Sequence, residues 1–286
     1  MTVKILADSA SDLPLDFFEE ADVTLFPLGV HLDGEEFLDQ VTIKPTEVYE
    51  KMRNGAAPKT TQVSPHLFKE EFQKLAKNNQ AGIYIAFSSQ LSGTYQTAVM
   101  MKEEVQEEYP DFDLTIIDTK CASLGVGLVV KAAVELAKTG ASKEDIIELA
   151  TYQATHMEHI FTVDDLEYLA RGGRVTKTAA FVGGLLNIKP ILNVEDGKLI
   201  PLEKIRGKKK AAKRILEIIE ERGTDLKDQT IAISHGDVLE TANEFKEMII
   251  EKFGCKEVFI NMVGASIGSH AGPGVIAIFF LNKNRT

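Results

Sequence analysis

Hydroxyl side chains recur at the ends of apolar runs along this 286-residue chain: Asp8-Ser9, Thr60-Thr61, Ser88-Ser89-Ser92 and Ser123. Where a strand gives way to a helix, such hydroxyls join unpaired N–H groups and the partial positive charge of the helix start, so the place suits an anion. The fullest case is Ile83 to Thr97. Its apolar run Ile83-Tyr84-Ile85-Ala86-Phe87 ends in Ser88, Ser89, Ser92, Gly93 and Thr94, and a helical pattern follows from Tyr95 to Glu108. Ser92 stands at the expected N-cap. An ordinary capped turn accounts for any one of these places; their recurrence is what points to a ligand.

Other residues suit other chemistry. Asp8, Asp12 and Asp118 lie at predicted strand ends, where together they would suit Mg²⁺ and phosphoryl transfer and singly would serve as caps. His270 precedes Ala271-Gly272-Pro273-Gly274, a loop whose glycines allow close approach to a ligand and whose imidazole titrates near neutrality. A structural histidine bonded to its own loop fits the same residues. His156 and His159, three apart on a predicted helix, lack a third metal ligand, and Cys121 and Cys255 lack metal-ligand spacing. The chain has no G-x-S-x-G elbow, Walker loop or G-x-G-x-x-G.

The elements that must position these groups can be read from periodicity. Strands are predicted at Val3–Ala7, Val23–Val30, Ile83–Phe87 and Leu114–Ile117, alternating with amphipathic helices, including one opened by Ser64-Pro65 and one by the cap Ser142–Asp145. Pro58–Ser64 reads as a loop. This is the pattern of an α/β layer with a largely parallel sheet, in which ligands sit at the carboxyl ends of strands. After about residue 160 the character changes. Phe161–Val163 reads as a strand, Glu195-Asp196-Gly197-Lys198 as a hairpin turn between two strands, and Gly207–Arg222 and Leu239–Phe253 as helices. A small, apolar stretch, Ala179–Leu186, carries Gly183-Gly184. The expected architecture is therefore an N-terminal α/β domain, 1–160, and a C-terminal mixed-sheet α/β domain, 161–286.

Composition narrows the function. With 44% hydrophobic and 26% charged residues the chain is globular, and no run is long and apolar enough for a membrane span. The start MTVKILADSAS lacks a signal-peptide pattern, and two cysteines make no disulfide framework, so a cytoplasmic setting is expected. A net charge of −11 argues against a general nucleic-acid binder. Between Arg171 and Arg214, however, twelve Lys/Arg face three acids. That asymmetry suits a phosphate, an acidic partner or an anionic membrane surface, or is a solvated face.

Six segments in order carry a resemblance: Asp8–Asp12, Thr60–Ser64, Ser88–Tyr95, Leu169–Arg174, Lys189-Pro190, and His270 with Gly272-Pro273-Gly274. Together they resemble the bacterial DegV family over essentially the whole chain. The resemblance implies a two-domain α/β protein that holds one long-chain fatty acid between its domains, with no other cofactor. Some members are the fatty-acid-binding subunit of fatty acid kinase, in phospholipid metabolism, presenting the carboxylate to a separate ATP-dependent subunit. Carried over residue by residue, Thr61, Ser92 and the Gly93 backbone bind the carboxylate, His270 lies close by, and Arg171 and Arg174 serve the partner or the acyl phosphate.

Physical chemistry agrees with such a role. A carboxylate leaving water needs donors on both oxygens, which Thr61, Ser92 and a helix N–H can supply. An acyl chain adds about 0.8 kcal/mol per buried CH₂. Phe26, Phe181, Val182, Leu185, Leu186 and Ile188 could line the slot, or belong to the core. The absence of Trp and of a catalytic constellation fits a carrier better than an enzyme acting alone. Two rivals stay open: a stand-alone Mg-dependent phosphoryl-transfer enzyme built on Asp8, Asp12 and Asp118, and a lipid-sensing regulator that never passes its ligand on.

Overall fold

The computed structural model describes residues 3–175 and 187–284. Its first half is built on four parallel strands, β1 (Lys4–Asp8), β2 (Thr24–Phe26), β6 (Gly82–Ala86) and β7 (Leu114–Asp118), in the order β2-β1-β6-β7. Every residue of β6 is buried, as a central strand covered on both faces requires. The helices of this half are α1 (Leu15–Glu20), α2 (Pro45–Arg53), α3 (Pro65–Lys77), α4 (Thr94–Glu108), α5 (Leu124–Lys138) and α6 (Lys143–His156). A small antiparallel sheet, β3 (Gly29–Leu32), β4 (Glu35–Leu38) and β5 (Lys59–Thr61), lies beside them in the order β4-β3-β5.

Sheet membership changes at β8 (Met157–Thr162). It is followed by α7 (Glu167–Arg171), β9 (Ile188–Glu195), β10 (Lys198–Arg206), α8 (Lys208–Arg222), β11 (Thr230–His235), α9 (Leu239–Phe253), β12 (Glu257–Met262), α10 (Ala265–Ala271) and β13 (Ile276–Leu281). The six strands run in the order β10-β9-β8-β13-β11-β12, and of these pairings only β11 with β12 is parallel. The fold is thus α/β, with a parallel four-stranded sheet and a mixed six-stranded one.

Period-two alternation in the second sheet sorts its residues into two cores. Ile160, Ile191, Ile231, Ile233, Ile276, Ile278 and Phe280 face α8 and α9, meeting Ile215, Ile219, Phe245 and Ile249. Phe161, Leu192, Ala232, Ala277 and Phe279 point the other way and join the core of the first half. The second sheet therefore lies with one face against the N-terminal half, and any ligand space between them must open on that face.

Several local expectations find their chemistry. Ser142 and Asp145 form a capping box, and Asp196 and Gly197, both with positive φ, make the tight turn between β9 and β10. Others are corrected. The strand expected over Val23–Val30 is two strands in different sheets, because Pro27 has no N–H for a ladder and the Leu28 N–H goes to Ser9 Oγ instead. Pro58–Ser64 is not all loop: Lys59–Thr61 pairs with β3. His270 is in the last turn of α10 rather than in a glycine loop, and His156 and His159 fall on α6 and β8, not on one helix. The stretch Ala179–Leu186, with Phe181, Val182, Leu185 and Leu186, lies outside the described residues.

Candidate functional site

A cavity of about 300 Å³ lies between the two halves. Its apolar walls include Leu28, Phe87, Leu91, Phe161, Val194, Leu199, Val263, Ile267, Val275, Ala277 and Phe279. Two residues expected to line it do not. Phe26 is in an aromatic cluster, 4.4 Å from the Phe68 ring and 5.5 Å from Tyr84, and Ile188 opposes Arg206 at the start of β9.

Polar groups interrupt these apolar walls. Thr60, Thr61, Ser92, Gly93, Arg174 and His270 all line the cavity. They arrive by four routes: the β5 end, the turn before α4, the turn after α7, and the last turn of α10. The N-cap of α4 is Gly93, one residue beyond the expected Ser92. Ser92 nevertheless acts on the helix start, because its Oγ accepts from the Thr94 N–H at 3.2 Å and bonds the Thr94 hydroxyl at 2.9 Å. Close packing holds the neighbours. A Cβ at Gly29 would lie 2.1 Å from Thr61 Oγ1, and one at Gly93 would lie 2.2 Å from Gln62 Oε1.

His270 is joined to this group through Thr60, whose hydroxyl lies 2.7 Å from Nε2. Burial, with Arg174 and then Arg171 nearby, lowers its pKa to about 4, so the ring is neutral near pH 7. Arg174 belongs to the wall as well. Its guanidinium donates to the Leu91 carbonyl at 2.9 and 3.2 Å and to Gly172 O, tying the α7 end to the residue before Ser92. Burial lowers its pKa, yet it stays a cation. Arg171 is exposed, with its guanidinium 5.1 Å from the Tyr168 ring. Within the basic stretch, Arg214 is held by Glu203, Glu217 and Glu221, and Lys189 by Asp164.

The histidine shift sets a pH dependence. An unfolded His270 takes up a proton near its ordinary pKa of 6.5, whereas the folded one refuses it until about pH 4. His270 therefore destabilises the fold as pH falls through that window, by about 1 kcal/mol per pH unit. On lipid-stripped protein, the stability of wild type relative to His270→Gln is expected to fall between pH 7 and pH 5. Urea unfolding at the two pH values checks this; a constant difference would contradict it.

The acids do not assemble the expected metal site. Asp8 is buried, accepting from Tyr84 Oη at 2.7 Å and from the Phe87 N–H at 2.9 Å, and burial raises its pKa to about 6. Asp12 accepts from Ser123 Oγ and from the Gly264 N–H at 2.9 Å, and its pKa is pushed well above the usual range by burial. Asp118 is apart from both. Burial works against its charge, but Lys120 and Ser89 win and keep its pKa low. Among the described residues, no group of three or more His, Cys, Asp or Glu could hold a metal.

The structure adds Asp39 to the acids the sequence had singled out. It is buried, accepts from Ser9 Oγ at 2.9 Å and from the Ala265 N–H at 2.8 Å, and so holds the first turn of α10. Burial raises its pKa to about 6. Asp12 and Asp39 thus anchor the short helix that carries His270. The sequence signal, an Asp after an apolar strand, was too common to single out. His159 was dismissed with the metal ligands, yet it lines the cavity.

Residues 2–283 match the family model described as "Uncharacterised protein, DegV family". A DegV domain-containing protein of Clostridium perfringens is 40% identical over 98% of this chain and 98% of its own. Among solved structures, a DegV family protein from Thermus thermophilus, described by its fatty acid binding, is 34% identical with a TM-score of 0.88, covering 98% of this chain and 99% of that one. DegV from Bacillus subtilis, described as a fatty acid binding protein, is 30% identical with a TM-score of 0.86 and 98% coverage of both chains. A stearic acid-binding protein from Eubacterium ventriosum is 27% identical with a TM-score of 0.87 over 97% of each chain.

Proposed function

Since this chain belongs to the DegV family, we propose that it holds one long-chain fatty acid in the cavity between an N-terminal domain, 1–160, and a C-terminal domain, 161–286. The carboxylate meets the hydroxyls of Thr61 and Ser92 and the backbone N–H of Gly93, with neutral His270 alongside. The observation that carries this reading is the cavity itself: its walls are largely apolar, and Thr61, Ser92, Gly93 and His270 are all among the residues that line it. A buried carboxylate is tolerable only where donors converge on it, and the acyl chain supplies the rest of the affinity. The fatty acid binding described for the solved relatives supports it.

The protein acts as a carrier rather than as an enzyme alone. It presents the carboxylate to a separate ATP-dependent kinase subunit for acyl-phosphate formation, and Arg171, exposed and close enough to His270 to help lower its pKa, contacts the partner or the phosphate. Arg174 bonds the Leu91 carbonyl, so its first task is to hold the Ser92 turn. The asymmetry of charge also suits transient contact with an anionic membrane surface, where fatty acids are collected. The phosphoryl-transfer reading finds no support, because Asp8 and Asp12 are buried and bonded internally while Asp118 lies with Lys120.

Native mass spectrometry of the purified and of the lipid-stripped, reloaded protein tests the binding; absence of both native lipid and uptake sinks it. ATP turnover tests the presentation. Turnover that needs both a kinase subunit and fatty acid supports it, and Arg171→Ala is expected to lower that turnover while lipid uptake persists. Binding without any turnover would leave the chain as a lipid-sensing regulator.

A smaller change probes the carboxylate end from behind. Gly29→Ala would place a methyl against Thr61 Oγ1 and displace that hydroxyl. One charge-assisted hydrogen bond is worth about 1.5 kcal/mol or more, so affinity is expected to drop about tenfold. Titration with a fluorescent fatty acid measures it; unchanged affinity would remove Thr61 from the carboxylate site.

A further inference from the structure

The acyl slot has a far end, and its closure falls to a histidine. On the cavity face of the second sheet, β8 and β13 present paired rows: Phe161 with Ala277, then His159 with Phe279, then Met157 with Leu281. The first two rows line the cavity, as does Val275 nearer His270, whereas Met157 and Leu281 do not. From Val275 to Phe279 the wall runs about 13 Å at 3.2–3.4 Å per residue, and there it stops.

The ring at that stop is held on every side. His159 is 3% exposed. Its Nδ1 lies 3.1 Å from the Met157 carbonyl, its Nε2 accepts the Ala122 N–H at 3.2 Å, and it meets Phe279 edge to face at 5.3 Å. Both nitrogens are thereby used on backbone, so the ring offers the slot only carbon and π surface. Its Nε2 end meets α5 at Gly125, where a Cβ would lie 2.4 Å from Nε2. The missing side chain at Gly125 is what leaves the imidazole room in its present place.

Building on the fatty-acid reading above, we infer that His159 is the stop of the acyl slot and sets the longest chain the protein accepts. A polar residue can fill this apolar place because its hydrogen-bonding capacity is already spent, while its planar ring is a rigid end wall. Gly125 leaves the ring the room to stand there.

The experiment loads lipid-stripped protein with an equimolar mixture of saturated acids of fourteen to twenty carbons and reads the bound distribution by native mass spectrometry. In His159→Ala the distribution is expected to move to longer acids by about two carbons, the room a removed ring leaves in a close-packed interior. In Gly125→Ala the new methyl claims space the ring now occupies, so the imidazole must move and the distribution is expected to change. A shift to longer acids in His159→Ala establishes the stop. If one variant does not fold, the other decides alone. A folded variant with the wild-type distribution, or a shift to shorter acids in His159→Ala, overturns the role of His159. Wild-type protein that takes up no acid of any length overturns both this inference and the carrier reading, which separates the two failures.

Discussion

Replacing Thr61 with Val and Ser92 with Ala together is expected to lower fatty acid affinity by about two to four orders of magnitude. Each hydroxyl donates to a carboxylate that has left water, and such bonds to charged groups are worth about 1.5–3 kcal/mol each. Two of them make about 3–6 kcal/mol, which is the stated range in Kd. The substitutions disturb the fold little. Valine keeps the branched shape of Thr61 at the end of β5, and the Ser92 change loses one acceptor for the Thr94 N–H, about 1 kcal/mol of helix stability. The control is chemical. A fatty alcohol of the same length buries the same chain without the charge, so wild type and variant should bind it almost equally. Equal affinity for the acid would place the carboxylate elsewhere.

Ala277→Phe is expected to close the slot midway. Ala277 lies in register with Phe161 on the cavity face, two residues from Val275 and two from Phe279. A benzyl group there occupies the path between the two ends. Shutting out four methylenes would forfeit about 3 kcal/mol, a loss of about 100-fold in affinity for long acids. The new ring meets Phe161 and Phe279, whose aromatic contacts offset part of the 1–3 kcal/mol that overpacking costs. Circular dichroism would confirm a folded variant, and native mass spectrometry should find it empty of long acids and able to take short ones. Wild-type uptake of an eighteen-carbon acid by the folded variant would show that the chain does not run past Ala277.

These three residues were not equally visible in the sequence. Thr61 and Ser92 belong to hydroxyl clusters that follow apolar runs, a signal contained in a few neighbouring residues, and the family resemblance singled them out of those clusters. Ala277 did not. Its place on the slot follows from the alternation of β13 and its pairing with β8, which only the sheet supplies. Phe26 failed for the related reason that an apolar residue near a site looks the same whether it lines a slot or, as here, packs against Phe68 and Tyr84. The acids failed differently. Asp8, Asp12 and Asp118 share a position at strand ends, but the order β2-β1-β6-β7 sets Asp118 on an outer strand, and hydrogen bonds claim the other two.

What the amino-acid order alone determined was local. It specified the parallel layer through alternating strands and helices, the capping box at Ser142, and the β9–β10 turn through Asp196-Gly197, because each depends on backbone preferences and on partners a few residues away. The tertiary structure decided which distant groups meet. Thr60 and His270, 210 positions apart, come within 2.7 Å. Arg174 moves from a supposed partner face into the cavity wall, Asp39 is recruited to hold α10, and His159 turns from an unpaired ligand into a packed end wall. Such encounters are set by which sheet face buries against which helix, a property of the whole packed core that no single stretch of the chain contains.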